Sequence, residues 1–170
     1  PYNIVAVQRE PKNVEVAKLA ARGQAEIILE DAIISRIIAQ TCRQSGLSVV
    51  YTELLDFGGD EIYFKDEPAL VGKTYGETLS MYEDSAVIGL YFADNHVQLN
   101  PPMDTRLKAG DKIIAVSEDD DTIKLSGKTD LRVKANAIHE GAPAPVEPER
   151  TLILGWNWRA ATIIRELDNY

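Results

Sequence analysis

Cysteine is almost absent from this chain. Cys42 is the only one in 170 residues, which excludes an internal disulfide framework and suits a reducing compartment. An excess of positive charge is missing as well. Eighteen Lys and Arg stand against 27 Asp and Glu, a formal net charge of −9, and because phosphate binding needs clustered cations, no nucleic-acid partner is expected. No apolar run approaches the roughly 18 to 20 residues that span a bilayer, and no signal-peptide pattern opens the chain. Direct membrane insertion of these residues is therefore not expected. The two histidines, His96 and His139, lie far apart without Cys or His at ligand spacing, which disfavours zinc. No nucleophile stands in a G-x-S-x-G or Cys–His context, so an enzyme is not expected. The lack of an initiator Met, and a last helix that reads as unfinished at Tyr170, suggest a fragment of a longer protein.

What the chain does hold is apolar residues at 45%, enough for one ordinary domain or two small ones. Asn3 to Val7 reads as a strand. Pro11 suits a first helical turn, Val14, Ala17 and Ala21 make one helical stripe, and Gly23 ends it. Ala25 to Leu29 is a second strand, giving a βαβ unit with a parallel pair. No Gly-rich turn precedes the first strand, so the unit resembles the tail of a Rossmann-type sheet.

A long helix follows, with Asp31 as its expected N-cap. Ile33, Ile34, Ile37, Ile38, Thr41 and Cys42 form a wide apolar face, and Cys42 is expected to be buried there. Gly46 breaks the run. Leu47, Val50, Leu54, Leu55 and Phe57 suggest another helix before Gly58-Gly59. Two consecutive apolar helices need a cover, and a second subunit supplies it. We expect a homodimer through residues 31–57, with Ile33, Ile34, Ile37, Ile38, Thr41, Leu47, Val50, Leu54 and Leu55 at the interface.

Leu70 to Val116 is the most structured stretch. Thr74 precedes Glu77 by three residues, the spacing of a capping box. Ala86, Ile88, Leu90 and Phe92 alternate with Val87, Gly89 and Tyr91, as a two-faced strand does. Asp94-Asn95 supplies a turn, Val97 and Leu99 a returning strand, and Asn100-Pro101-Pro102 stops it. Ala109-Gly110-Asp111 is another turn before Ile113 to Val116, a strand expected to be buried on both faces. From Ser126 to Arg150, Gly127, Gly141, Pro143, Pro145 and Pro148 mark a linker. Thr151 to Gly155 is an expected buried strand, and Ala160 to Leu167 a helix.

These motifs, in this order, carry a family resemblance. Leu70-x-Gly72, Val87-Ile88-Gly89, Leu99-Asn100-Pro101 and Leu107-x-x-Gly110-Asp111 look like the C-terminal (TrkA-C) lobe of RCK domains, the cytoplasmic regulatory domains of potassium channels and transporters. Glu26-Ile27-Ile28, Asp31-x-Ile33-x-x-Arg36 and Leu54-Leu55-x-Phe57 look like the end of the preceding RCK Rossmann lobe. Gln44-x-Gly46-Leu47, Glu118-Asp119-Asp120-Asp121-Thr122, Pro148-Glu149-Arg150 and Gly155-Trp156 with Arg159 are most similar to Castor/Pollux-type ion channels.

The resemblance implies an α/β fold in four parts. Residues 1–58 would be the tail of an RCK Rossmann-like lobe with two interface helices, and 59–125 a small α+β TrkA-C-like lobe. Residues 126–150 would be a linker, and 151–170 the first βα unit of a second Rossmann-like domain. The implied function is a cytoplasmic gating domain on the cytoplasmic side of the membrane, within a larger assembly that couples ligand binding to a cation pore. Alternatives are a soluble regulatory subunit of a Trk-type potassium uptake system, which predicts a complete G-x-G-x-x-G half upstream, and an NAD-dependent enzyme fragment.

Gly155-Trp156-Asn157-Trp158-Arg159 occupies the place of a dinucleotide fingerprint but keeps only its first glycine. Trp158 and Arg159 would obstruct a pyrophosphate, so no NAD is expected in these residues. The expected role of the two tryptophans is structural packing, and Arg159 could hold an anion. Two acidic groups are candidate Ca²⁺ ligands: Asp56, Asp60 and Glu61, with Glu53 nearby, and Glu118, Asp119, Asp120 and Asp121. Neither has EF-hand spacing, and the ordinary reading of both is a solvated charge run. Calcium regulation in RCK and Castor-type channels is what the resemblance adds.

Overall fold

The computed structural model describes residues 2–128, 134–137, 139, 141 and 150–169. The linker prolines Pro143, Pro145 and Pro148 lie outside the described residues. The fold is mixed α/β and divides into two compact units, Pro1–Val49 with Val146–Tyr170, and Val50–Pro145. Among the described residues, no helix is long and apolar enough to cross a membrane.

In the first unit, strands β1 (Ile4–Gln8) and β2 (Ala25–Leu29) pair in parallel, Ile4 opposite Ala25 and Gln8 opposite Leu29. Pro11 starts a single 3-10 turn that leads into α1 (Val14–Ala21), whose Val14, Ala17 and Ala21 are its more buried positions, as the stripe predicted. The helix ends one residue earlier than expected, with Arg22 itself in the left-handed region at φ 50°.

Helix α2 (Glu30–Arg43) starts directly from β2. Leu29 is its N-cap, so Asp31 lies inside the first turn and is not the cap. The strand runs straight into the helix and leaves no loop residue for capping; Glu30 and Asp31 instead place negative charge at the positive end of the helix dipole. Gly46, at φ 88°, separates α2 from α3 (Leu47–Leu55).

Two further expectations are corrected in this unit. Cys42 is exposed rather than buried, because it faces a cleft of about 340 Å³ beside Thr151–Asn157. Thr151 to Leu154 forms no strand, and Leu152 and Leu154 are 81% and 87% exposed. Among the described residues no strand pairs with this stretch, so its apolar side chains have no sheet to face. The chain then enters α5 (Ala160–Asp168), the fifth α-helix among the described residues, which packs along α2 through the buried small residues Ser35, Ala39 and Ala160.

The second unit contains an antiparallel sheet in the order β3-β6-β4-β5, made of β3 (Glu61–Lys65), β4 (Ala86–Tyr91), β5 (Val97–Leu99) and β6 (Lys112–Ser117). Helix α4 (Tyr75–Thr78) begins at the predicted capping box: Thr74 Oγ1 accepts from the Glu77 amide at 3.3 Å, and Glu77 Oε2 accepts from the Thr74 amide at 2.7 Å. Leu70, Tyr75, Tyr82, Val87, Leu90, Leu107, Ile113, Ala115 and Ile123 form the core.

The alternation in β4 does not hold along its length. A bulge between Val87 and Gly89 leaves Ile88 without a partner in the β6 register. The phase therefore switches, and Val87 and Leu90 both enter the core although their spacing is three. Gly89 makes the next crossing possible, since a Cβ there would stand 2.5 Å from the Gln98 carbonyl oxygen. Ile113, Ile114 and Ala115 are buried as predicted, while Val116 is half-buried.

Candidate functional site

The turn motifs of the second unit are each held by a specific bond. Asn100, at φ 46°, donates its amide to the Ile88 carbonyl at 2.9 Å and leads into the buried Pro101. Gly72, at φ 86°, donates its amide N–H to the Leu107 carbonyl oxygen at 2.8 Å, and its own carbonyl accepts from Arg106 Nη1 at 2.8 Å. Asp111 is 8% exposed. One of its oxygens accepts from the Ala93 amide at 3.0 Å and the other from the Lys108 amide at 2.7 Å. The motif Leu107-x-x-Gly110-Asp111 thus combines a core anchor, a left-handed glycine and a carboxylate clamp. Sequence reading saw the turn but not the clamp, because the Ala93 partner is distant in sequence.

The two acidic candidate groups come together in one corner of this unit. Strand pairing sets Glu61 opposite Ser117, which brings the Asp56–Glu61 turn beside Glu118–Asp121. A cleft of about 330 Å³ is lined by Phe57, Gly58, Gly59, Glu118, Asp119, Asp121 and Thr122. Two of the carboxylates accept from local backbone amides: Asp56 Oδ1 from Gly58 at 3.1 Å, and Asp119 Oδ1 from Asp120 at 2.6 Å. Thr122 Oγ1 lies 2.7 Å from both the Ser117 hydroxyl and the Asp119 carbonyl oxygen. Lys65 Nζ donates to the Asp120 carbonyl at 3.3 Å. The corner is electronegative: burial first, then the charges of Glu61, Asp119 and Asp120, push the Tyr63 phenol above its ordinary value. Among the described residues, no three His, Cys, Asp or Glu side chains are grouped so as to hold a metal ion.

The nine expected interface positions, five on α2 and four on α3, separate by exposure. Ile33 is 45% exposed, and Ile34, Ile37 and Thr41 are half-buried on the same face. Ile38 turns instead toward the cleft shared with Cys42, Ala160, Ile163 and Leu167. On α3, Val50 and Leu55 are exposed while Leu47 and Leu54 are half-buried.

Gly155 takes φ 90°, as a tight turn requires. The tryptophans that follow are not packed into a core: Trp156 and Trp158 are 76% and 72% exposed. Trp158 spends its polar edge on Asp31, donating Nε1–H to Oδ2 at 3.0 Å. Arg159 lies with its guanidinium carbon 5.0 Å from the Trp158 ring centroid and donates to Asp31 through Nε at 2.8 Å. Its Nη2 reaches Asp31 at 2.7 Å and Glu30 at 3.9 Å. Arg159 is therefore occupied by carboxylates of its own chain, which answers the anion expectation. No periodicity signal links residue 31 to residues 158 and 159, and sequence reading missed the network.

Comparison with known proteins bears on the family and the fold. A family described as "Castor and Pollux, part of voltage-gated ion channel" matches residues 31–134, more than half of the chain. A probable ion channel POLLUX of Arabidopsis thaliana is 28% identical over 167 residues, covering 98% of this chain and 20% of the relative. The ion channel CASTOR of Lotus japonicus is 27% identical over 168 residues, again 98% of this chain and 20% of the relative. The chain thus spans about a fifth of the length of these relatives. Among solved structures, the human SLO3 gating ring superposes with a TM-score of 0.58 at 17% identity, over 71% of this chain and 27% of that one. That likeness is one of fold.

Proposed function

Because this chain belongs to the Castor and Pollux ion-channel family, we propose that it is part of the channel's regulatory assembly on the cytoplasmic side of the membrane. In this reading it comprises the second half of one RCK domain and the start of the next, and it couples ligand binding to a cation pore elsewhere in the protein. The observation that carries the proposal is the apolar stripe of α2 on which Ile33 is exposed and Ile34, Ile37 and Thr41 are half-buried, in a chain whose fold resembles a gating ring. A partly exposed apolar stripe of this kind gains by burial against a partner. A second copy, meeting Ile33, Ile34, Ile37 and Thr41 together with Leu47, Val50, Leu54 and Leu55, turns it into the movable element of a gate. A ligand then shifts the gate by binding one arrangement of the pair better than the other.

Calcium enters the proposal as a ligand of the acidic corner. The carboxylates of Asp56, Asp60 and Glu61 and of Glu118 to Asp121 stand on two neighbouring loops, and an ion needing six to eight oxygens has to draw the loops together. Binding of that kind is a rearrangement, which is what a gating element requires.

Light scattering at micromolar concentration tests the pairing. Wild type is expected as a dimer, and Ile37→Asp, which would bury an unpaired charge, as a monomer or an unfolded chain. A monomeric wild type overturns the pairing.

A further inference from the structure

Asp31 is the point at which the C-terminal segment grips α2. Both of its oxygens are used, one by the Trp158 indole N–H and the other by the Arg159 guanidinium. The Asp31 and Arg159 side chains are 24% and 21% exposed, so the bonds are partly shielded from water. Farther along, Arg36 Nε meets Glu166 Oε1 at 3.3 Å. The pairs run in the same chain order on both helices, with Ser35, Ala39 and Ala160 buried between them. Small side chains let α5 approach α2 closely, and the two polar groups fix where along α2 it rests.

Helix geometry decides what this docking leaves free. At about 100° per residue, Asp31, Ser35, Ile38 and Cys42 share one stripe of α2, and Ile33, Ile34, Ile37 and Thr41 share another roughly a third of the circumference away. The first stripe faces α5 and its cleft; the second is the face proposed above for a second copy. One rigid helix therefore carries two separate contacts. We infer that the Asp31–Trp158–Arg159 network is a latch that sets the position of α2, so that the docking of α5 controls how strongly α2 associates with a second copy of this chain. Asp31 is a positioning residue in this arrangement, since it acts on the apolar stripe only through the helix. The part of the inference that concerns association rests on the dimer reading; the latch itself does not.

The test uses the chain as it stands, with Trp156→Phe throughout so that Trp158 alone reports. Asp31→Asn keeps the side-chain shape and removes the charge. Expected results are greater acrylamide quenching of Trp158, faster amide exchange in α5, and a dimer dissociation constant raised about fivefold or more, within the usual range of coupling between sites. Asp31→Glu is expected to restore much of each. Arg159→Gln added to Asp31→Asn should give little further change, since both break the same contact. Unaltered quenching and exchange in Asp31→Asn would overturn the latch. A loosened α5 with an unchanged dissociation constant would overturn its control of association. If wild type is monomeric, the dimer reading fails by itself, and quenching and exchange still decide the latch.

Discussion

Removing the Asp111 carboxylate is the perturbation whose effect can be worked most directly from the structure. The side chain is nearly buried and accepts two backbone N–H groups, from Ala93 at 3.0 Å and Lys108 at 2.7 Å. Hydrogen bonds to a charged group contribute about 1.5 to 3 kcal/mol each, and a shielded donor left without an acceptor costs more than an exposed one. Both donors lose their acceptor in Asp111→Ala. Some water can reach them, so the expected loss is about 2 to 4 kcal/mol in total. In a unit of this size, about 1 kcal/mol moves the melting midpoint by roughly 4 to 8 °C, so the midpoint should fall by at least about 8 °C. Asp111→Asn keeps one acceptor oxygen and turns an amide toward the other donor, so it should lose about half as much. Asp104→Asn, at an exposed carboxylate, should stay within about 0.5 kcal/mol of wild type. Calorimetry gives the midpoints, and amide exchange at Ala93 and Lys108 reports the two bonds individually. If Asp111→Ala melts with the Asp104→Asn control, or if both amides keep their protection, the clamp does not hold these turns.

Tyr82 carries a buried hydroxyl with no hydrogen-bond partner among the described residues, and burial, then the Glu67 charge, pushes its phenol up to about 12. A raised folded value means that stability is intact below the ordinary value of 10 and lost as pH rises toward 12; Tyr82→Phe should lack that alkaline loss in a pH series of melts, and at neutral pH be equal to wild type or up to about 1 kcal/mol more stable. Glu77 is held below its ordinary value, first by the Thr74 amide and then by the Thr74 hydroxyl. Its contribution is present above about 4.5 and fades as pH falls through the lowered value, so Glu77→Gln should flatten the acid limb of the same series. Millimolar Ca²⁺ is expected to raise the melting midpoint more than Na⁺ at equal ionic strength, and replacing Asp56, Asp60 and Glu61 by Asn and Gln to remove the difference; equal shifts in the two salts would mean screening alone.

Much of the second unit was legible because its signals are local. The capping box at Thr74 and Glu77, the Asp94-Asn95 turn and the run from Ile113 to Ala115 each depend on neighbours within a few residues. The βα start was legible for the same reason, through Pro11 and the Val14, Ala17 and Ala21 stripe. The failures share a different cause. Helical phase predicts burial for Cys42 and structural packing is expected of the tryptophans, whereas their surroundings are set by a segment more than a hundred residues away. Thr151 to Leu154 has the composition of a strand, but a strand also needs a partner, and composition does not report one. The β4 bulge changed which side chains turn inward; Gly89 beside it is a local sign of a bulge, but a lone glycine does not say on which residue the phase switches. The acidic corner was half legible: both groups were visible, and only the pairing of β3 with β6 showed that they are neighbours.

The central claim is that this chain regulates a pore without forming part of it. Single-channel recording from the intact channel, comparing wild type with Ile37→Asp and Asp31→Asn, tests it most directly. The account predicts a changed open probability with unchanged unitary conductance and ion selectivity. Altered conductance or selectivity at unchanged open probability would contradict it.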